Sequence, residues 1–438
     1  LLPADILEHR LTRLLPAGSA VVNPRISSLD LPTVIISGQE DNLLPTKEEA
    51  ERLSKEFPNN NLIRVSGSGH WVLDDRLNLT EIIVDSQIDP FKKRLEKPID
   101  PITGWKKPSE EYTRHTIENS VKPLRRLTSP VFFSTDKEGK RRKGLSELPT
   151  QNEGPLLFVA NHQFGGLDLG MIIAELVEER DLWVRGLAHP IAMGVAGAIN
   201  GGEQVASRRT IRTDGNGDNN NFFSTDRFKD FGAVVVTPRN YYRLMQTGQN
   251  ALLFPGGVKE VFHGKDEAYK LIWPENVDFV RTAARFNATI VPISALGAAD
   301  SVNILIDGPE ILKLPFGIGE RAANSSANIV SARFNQNNTD ELFQPPFALP
   351  KGLPARHYFV FGEAISTDHI DPKDKDGCAK LYKAVQDEMN RGFDDVLHAR
   401  KEDPFADTAR RIAYEQLAGR AAPTFPVELL NRKKVNTT

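Results

Sequence analysis

Five short, almost wholly apolar runs recur between residues 156 and 361, and they constrain the fold more than any other feature of the sequence. The runs are Leu156–Ala160, Ala233–Val236, Ala251–Phe254, Thr289–Ile293 and Tyr358–Phe361. A strand that faces water on one side alternates apolar and polar residues, whereas these runs are apolar on both faces, and stretches of helical character separate them. The pattern therefore predicts an α/β fold in which helices cover both faces of a largely parallel sheet.

Strand and helix signals in α/β order also occupy residues 1–88. Leu31–Ser37 and Asn61–Ser66 read as strands, and Thr46–Phe57 between them is rich in helix formers, with Thr46 as the expected N-cap. Residues 89–110 are rich in proline and lysine and lack periodicity, so we predict a linker there.

The remaining residues form a second predicted domain over 111–400, which ends in a helix over 378–396 and is followed by a C-terminal tail over 401–438. Two polar segments, near 202–228 and 318–346, are predicted to be surface insertions. The first contains Asp214, Asn216 and Asp218 in the spacing of a calcium loop. It lacks the glycine and the glutamate that such a loop requires, so we expect a solvated segment rather than a metal site.

The balance of residues excludes several classes of protein. The chain has 55 Lys and Arg against 58 Asp and Glu, a net charge of −3, which excludes a nucleic-acid binder that acts through bulk positive charge. Its one cysteine, Cys378, excludes an intrachain disulfide and a multi-cysteine zinc site. No apolar run has the length of a membrane-spanning helix. Because the chain begins with Leu1 and shows neither a signal nor a transit peptide, we expect a fragment or a processed form that is truncated at its N-terminus.

The first candidate site directly follows the run 156–160, in the sequence Asn161-His-Gln-Phe-Gly-Gly-Leu-Asp168. A histidine at the end of a strand with a carboxylate nearby suits general-base catalysis, because the carboxylate fixes the imidazole tautomer and stabilises the imidazolium. We predict His162 as the base and Asp168 as its partner, with Gly165 and Gly166 allowing a tight turn between them. The alternative is a surface histidine beside a helix-capping aspartate.

Two further strand ends carry candidate binding residues. The run 251–254 continues into Pro255-Gly-Gly-Val-Lys-Glu260, where the N–H groups of Gly256 and Gly257 are candidates to bind an anion or an oxyanion, and Lys259 adds positive charge. The alternative is an ordinary strand-to-helix turn. The run 289–293 is expected to end as a strand at Pro292.

Taken in chain order, the box at 161–168, the turn that follows the run 251–254 and the run 289–293 resemble the motifs of glycerolipid acyltransferases. The stretch from Leu252 to Ile293, the segment Arg185–Pro190 and the box at 161–168 are most similar to one branch, the phytyl ester synthase and diacylglycerol acyltransferase group of plants and algae. The resemblance covers most of 110–400 outside the two insertions.

Two departures separate the sequence from the broad acyltransferase pattern. Five residues lie between His162 and Asp168 where that pattern has four, and Gly256 follows Pro255 where that pattern has a glutamate. The closer branch shares both features. The resemblance implies that His162 and Asp168 are catalytic, and it implies a set of substrate-binding residues. These are Asn161, Gly256, Gly257, Lys259, Glu260 and Pro292.

The resemblance also implies an O-acyltransferase that forms neutral lipid esters. The acyl donor would be acyl-CoA, acyl-carrier protein or a glycerolipid, the acceptor would be phytol or diacylglycerol, and no further cofactor or metal is expected. The branch implies a plastid location, at plastoglobules or thylakoids, with peripheral attachment to membranes or lipid particles. The competing functions are a lysophospholipid acyltransferase and a catalytically inactive scaffold.

Residues 1–88 resemble the C-terminal half of an α/β-hydrolase, in which an acid and then a histidine follow the last strands. Asp41 and His70 match these two positions. The expected fold is therefore the C-terminal half of an α/β-hydrolase-like domain followed by a glycerolipid-acyltransferase-like α/β domain. The nucleophile motif Gly-x-Ser-x-Gly occurs nowhere in the chain. A lipid hydrolase or thioesterase, the remaining alternative, would need this nucleophile from a longer protein.

Overall fold

The computed structural model describes residues 3–29, 32–72, 81–82, 100–150, 154–166, 168–190, 192–193, 225–275, 278–327 and 345–431. The chain divides into two compact units, Leu1–Asp100 and Pro101–Thr438. Residues 202–224, which contain the calcium-like spacing, lie outside the described residues, as do 328–344.

The first unit begins with helical turns and ends in a small parallel sheet. Its elements are α1 (Ala4–His9), a π-helical turn (Arg10–Leu14), α2 (Leu15–Val22), a 3-10 segment (Asn23–Ser28), β1 (Thr33–Gly38), α3 (Thr46–Glu56) and β2 (Asn60–Val65). β1 and β2 are parallel, with Ile35 opposite Leu62. α3 supplies the crossover that a parallel pair of strands requires.

The start of α3 corrects one expectation. Pro45, not Thr46, occupies the N-cap position, and Thr46 is the first helical residue. The Thr46 hydroxyl donates a hydrogen bond to the carboxylate of Asp41. The prediction of Thr46 as N-cap was wrong because its hydroxyl binds Asp41 in the preceding loop, a contact that the local capping pattern does not reveal.

The second unit is built on an eight-stranded sheet within the described residues. The strands are β3 (Val131–Thr135), β4 (Arg141–Lys143), β5 (Leu156–Ala160), β6 (Arg185–Ala188), β7 (Val234–Val235), β8 (Ala251–Leu253), β9 (Thr289–Leu296) and β12 (Tyr358–Phe361). Their order is β4-β3-β12-β9-β5-β8-β6-β7. The strands β9, β5, β8, β6 and β7 run parallel, whereas β12 is antiparallel to β9 and β4 to β3. The α/β prediction is confirmed, with a mixed sheet. A separate antiparallel pair joins β10 (Val302–Ile306) to β11 (Phe347–Pro350).

Helices cover both faces of this sheet. The helices of the second unit within the described residues are α4 (Glu110–Thr116), which continues through a π-helical turn (Ile117–Val121) into α5 (Lys122–Thr128), then α6 (Leu169–Arg180), α7 (Thr225–Asp230), α8 (Pro238–Gln246), α9 (Gly257–Val261), α10 (Asp278–Arg285), α11 (Gly308–Leu312), α12 (Ile318–Ala327), α13 (Lys375–Ala399) and α14 (Thr408–Ala418). The predicted helix over 378–396 is part of α13, and Leu381, Val385 and Met389 are buried on its core face as expected.

The central strand β5 explains why the run 156–160 is apolar throughout. Leu156, Phe158 and Ala160 pack with α6 on one face of the sheet, whereas Leu157 and Val159 pack with α10 and α13 on the other. All five side chains are fully buried. Burial of apolar area on both faces stabilises the centre of the sheet, by roughly 25 cal/mol for each Å² removed from water.

The expectation that β9 ends at Pro292 was wrong. Pro292 lies in the middle of β9, opposite Val159 of β5, and the strand continues to Leu296. Proline lacks an N–H donor, but its carbonyl remains an acceptor, and here it accepts from the N–H of Gly362 at 2.7 Å.

Residues at both ends of the second unit pack into it. Ile102 is buried, and the guanidinium of Arg185 lies 4.4 Å from the ring centre of Trp105. Near the C-terminus, Phe425 and Leu430 are buried with β3 and α13. In the described part of the chain, no helix combines the length and the hydropathy needed to cross a membrane.

Candidate active site

Three loops that carry candidate residues meet at one edge of the sheet. Residues 161–168 follow β5, residues 254–260 follow β8, and residues 297–298 follow β9. These strands are parallel neighbours, so their carboxyl ends lie side by side. In open α/β sheets this edge is where ligands bind.

His162 and Asp168 form an ion-pair geometry at this edge. His162 Nδ1 lies 3.2 Å from both carboxylate oxygens of Asp168. Asp168 is fully buried and also accepts from the N–H groups of Gln163, at 2.7 Å, and Leu169, at 2.9 Å. It is the N-cap residue of α6, where the helix dipole favours a negative charge. The carboxylate is therefore held rigidly, and it fixes the orientation of the imidazole.

The opposite edge of the His162 ring remains available. The His162 side chain is 19% exposed, and no described residue forms a hydrogen bond with Nε2. The ring stacks on Phe254, with centroids 4.0 Å apart and an interplanar angle of 14°. A carboxylate on Nδ1, an aromatic face beside the ring and an open Nε2 together form the arrangement that a general base requires.

Two glycines turn the chain between His162 and Asp168. Gly165 and Gly166 have φ angles of 74° and 70°, in the left-handed region that favours glycine. A Cβ on Gly166 would lie 3.6 Å from Cε1 of His162. This double turn brings Asp168 back beneath the imidazole across the five intervening residues.

Asn161 and Gln163 attach this loop to the end of β9. The Asn161 side chain donates to the carbonyl of Ala295 at 3.0 Å and accepts from its N–H at 2.8 Å. Gln163 Oε1 accepts from the N–H of Ala298 at 2.8 Å, and its buried Nε2 has no hydrogen-bond partner among the described atoms. The Asn161 amide and the amide oxygen of Gln163 are thus used within the protein, and Pro292 is buried inside β9.

The turn after β8 holds the other predicted binding residues. The N–H of Gly257 donates to the carbonyl of Phe254 at 3.1 Å, so the turn itself uses this donor. Lys259 is half-buried and forms no ion pair with any described residue.

Glu260 is buried and bridges two segments of backbone. Its carboxylate accepts from the N–H of His162 at 2.8 Å and from the N–H of Ile272 at 3.0 Å. Desolvation raises the pKa of Glu260 to about 7, and the two backbone hydrogen bonds oppose this shift. Its carboxylate therefore supports the main chain of His162 directly.

Two known proteins are similar to this chain over most of its length. The chain is 30% identical over 420 residues to phytyl ester synthase 1 and 31% identical over 430 residues to phytyl ester synthase 2, both named as chloroplastic proteins of Arabidopsis thaliana. The chain is thus similar to two phytyl ester synthases over almost its whole length. These alignments cover 94% and 97% of the chain but 56% and 57% of the relatives, so the chain spans a little over half of their length. No family model and no solved structure matches the chain.

An apolar pocket begins one residue beyond Asp168. Leu169 and Ile173 of α6 and Gly186 of β6 line it. Val121 of the π-helical turn and Phe228 of α7 also line it. The pocket is open to solvent, and apolar side chains make up most of its lining.

The second predicted pair lies in the first unit. Asp41 follows β1, His70 follows β2, and His70 Nδ1 is 3.0 Å from Asp41 Oδ2. Asp41 also accepts from the Thr46 hydroxyl and from the N–H of Leu43. The Thr46 hydrogen bond is the main reason that the pKa of Asp41 lies well below its ordinary value.

Sequence reasoning missed two features of the site in the second unit. It did not single out the stacking of Phe254 on His162, although an aromatic residue at the end of β8 was a usable signal. It also missed Gln163, for which no local pattern exists, because its partner Ala298 is more than one hundred residues away. Among the described residues, no cluster of His, Cys, Asp and Glu could hold a metal ion.

Proposed function

We propose that this chain transfers a fatty acyl group to the hydroxyl of phytol or diacylglycerol at the His162–Asp168 site. The observation that carries the proposal is the pairing of His162 Nδ1 with a buried carboxylate, which leaves Nε2 free at the ligand-binding edge of the sheet. The names of the two relatives support an acyltransferase that forms phytyl esters.

In the proposed mechanism, Nε2 of His162 removes the proton of the acceptor hydroxyl as its oxygen attacks the acyl carbonyl. The carboxylate of Asp168 stabilises the imidazolium that forms. The tetrahedral intermediate collapses, the bond from the carbonyl carbon to the donor's sulfur or oxygen breaks, and the leaving group takes the proton from His162. The two substrates react within one ternary complex, without an acyl-enzyme.

The donor in this proposal is acyl-CoA, acyl-carrier protein or a glycerolipid. Each of these carries phosphate or another polar head, and Lys259 offers a cation with no ion-pair partner in the described part of the chain. We assign Lys259 to the donor's polar head for this reason. The reaction uses no additional cofactor.

The apolar pocket beside Asp168 supports substrates with long hydrocarbon chains. Its lining is apolar apart from Thr116, Ser120 and Arg227. Because Leu169 belongs both to this lining and to the hydrogen-bond shell of Asp168, a chain in the pocket would bring its functional end close to His162. We propose that one substrate chain lies there.

The experiment that tests the function supplies a labelled acyl donor with phytol or with diacylglycerol to the purified chain. His162→Ala should lower ester formation by about a hundredfold or more, as expected when a general base is removed. The matched control is His369→Ala, because His369 Nδ1 lies 3.2 Å from Asp368 on the exposed surface. It should leave the rate unchanged.

Other outcomes would select other functions. Equal rates for the parent and His162→Ala would remove His162 from the mechanism. Ester formed only from a lysophospholipid would indicate a lysophospholipid acyltransferase, and no product with any acceptor would favour a scaffold. The preferred acceptor, phytol or diacylglycerol, would identify the product.

We further propose a plastid location with peripheral attachment to thylakoids or plastoglobules, because both relatives are named as chloroplastic and the proposed substrates are lipids. In the same proposal, the first unit is the C-terminal part of an α/β-hydrolase-like domain, and the second is the acyltransferase-like domain. Partners other than lipids and the acyl donor are not required.

Hydrolysis of a lipid ester or thioester is the second candidate function. The observation that favours it is the Asp41–His70 pair at the ends of two adjacent parallel strands, the positions of the acid and histidine of a hydrolase triad. The test compares this chain with a longer form of the protein that supplies a Gly-x-Ser-x-Gly motif. Ester hydrolysis by the longer form alone, lost in its His70→Ala variant, would support this function.

A further inference from the structure

Glu260 contacts the main chain of His162 through a hydrogen bond from the His162 N–H. Its carboxylate is only 3% exposed, and each of its oxygens accepts from one backbone N–H, that of His162 or that of Ile272. No described cation forms an ion pair with it. A buried carboxylate with two backbone donors fixes the position of both donors, because breaking either bond would leave a buried polar group without a partner.

Gly256 provides the space that this carboxylate occupies. A Cβ at position 256 would lie 2.0 Å from Cδ of Glu260, 2.3 Å from its Cγ and 2.4 Å from its Oε1. The backbone of Gly256, with φ −70° and ψ −24°, suits any L-residue. Glycine is therefore needed at position 256 for space and not for conformational freedom.

We propose that Glu260 is a positioning residue, which holds the main chain of His162 and thereby the imidazole against Asp168, and that Gly256 is required because it admits this carboxylate. This inference rests on the proposed function, and it assigns Glu260 to the catalytic histidine rather than to a substrate. Residues in this role affect the rate of the chemical step more than the binding of substrate.

Steady-state kinetics distinguishes a role of Glu260 in positioning His162 from a role in binding substrate. Glu260→Ala should lower kcat by roughly tenfold to a hundredfold with KM almost unchanged, because a catalytic group displaced by about 1 Å loses up to that much rate. Glu260→Gln keeps one acceptor oxygen of two and should give an intermediate kcat, which also carries the test if Glu260→Ala does not fold. A raised KM with an unchanged kcat would place Glu260 on the substrate and overturn the proposal.

A double-mutant cycle tests the link to Gly256. Gly256→Ala should lower kcat by displacing the Glu260 carboxylate, whereas Gly256→Ala combined with Glu260→Ala should be no worse than Glu260→Ala alone. Additive losses would overturn the link. The control is Glu415→Ala, which removes a carboxylate that accepts from the N–H of Ala422 at 2.9 Å; it should reduce stability without changing kcat.

A readout without turnover separates this proposal from the proposed function. Diethyl pyrocarbonate modifies exposed imidazole nitrogens, and peptide mass spectrometry gives the rate at His162. That rate should rise severalfold in Glu260→Ala and Gly256→Ala and stay constant in Glu415→Ala. If the parent forms no ester but these rates change as expected, the positioning role stands and the proposed function fails. Unchanged rates in both variants would overturn the positioning role.

Discussion

The apolar pocket beside Asp168 makes a quantitative prediction about chain length. Gly186 lies on strand β6 and lines the pocket, and a Cβ there would lie 3.7 Å from Ala233 Cβ and 3.9 Å from Leu169 Cδ1. Both distances are ordinary contacts, so Gly186→Ala should fold without strain, and Gly186→Val extends the series with a residue that strands favour. Each added carbon reduces the space left for a substrate chain.

The magnitude follows from the burial of methylene groups. Burying one CH₂ is worth about 0.8 kcal/mol, and a loss of 1.36 kcal/mol is a factor of ten in rate. Gly186→Ala displaces about one methylene of the substrate chain from the pocket. It should therefore lower the ratio of kcat/KM for a long-chain substrate to kcat/KM for a short-chain substrate about fourfold. Gly186→Val, which displaces about two or three, should lower this ratio by about 15- to 60-fold.

The assay compares octanoyl with palmitoyl donors at a fixed acceptor, and short with long alcohols at a fixed donor. The substrate whose length dependence changes is the one whose chain occupies the pocket. The short substrate serves as the internal control for folding, since its kcat/KM should remain near the parent value. A parallel loss for short and long substrates, or no loss for either, would refute the assignment of the pocket.

Three further predictions address the site and the stability of the fold. Asp168→Asn should lower kcat by about a hundredfold or more in ester-forming assays, because an amide cannot accept from Nδ1 of His162 and two backbone N–H groups together. Its melting temperature should also fall, because a buried donor is left without an acceptor, although asparagine keeps the N-cap of α6. Burial raises the pKa of Glu175 from 4.5 to about 7, so the free energy of unfolding falls as pH rises from 4.5 to 7. Glu175→Gln removes this loss, and urea titrations should show the variant gaining stability relative to the parent as pH rises through that range. Burial lowers the pKa of His357 from 6.5 to about 4, so its contribution has the opposite sign: stability falls as pH decreases from 6.5 to 4, and His357→Leu should remove this loss.

The strands of the fold could be predicted from sequence, because their signal is local. All five apolar runs contain strands, and the run 156–160 coincides with β5 at both ends. β10 and β11 were not predicted; they form a separate antiparallel pair in which Leu305 and Leu349 are exposed. The end of β9 was predicted wrongly because proline usually interrupts a strand through its missing N–H donor, whereas the carbonyl of Pro292 still accepts from Gly362.

The sequence suggested the pairing of His162 with Asp168, which the structure shows, but not the other contacts around these residues. The spacing of His162 and Asp168 suggested their pairing, since both lie on one short loop. The contacts of Asn161 with Ala295 and of Glu260 with His162 each join segments about one hundred residues apart, which are neighbours only because β5 lies between β8 and β9. Topology, which the sequence pattern does not encode, decides these contacts.

The two departures from the broad acyltransferase pattern have separate physical explanations in this site. The additional residue between histidine and aspartate is accommodated by Gly165 and Gly166, whose left-handed conformations compact the loop so that Asp168 still reaches Nδ1 of His162. The absence of a glutamate directly after Pro255 leaves space that the Glu260 side chain fills from the following helical turn. Because the carboxylate of Glu260 lies where a side chain at position 256 would begin, a side chain at 256 and the present position of Glu260 exclude each other. The glycines thus serve different needs: Gly165 and Gly166 supply the backbone conformation of the His162 loop, whereas Gly256 supplies volume to the Glu260 side chain.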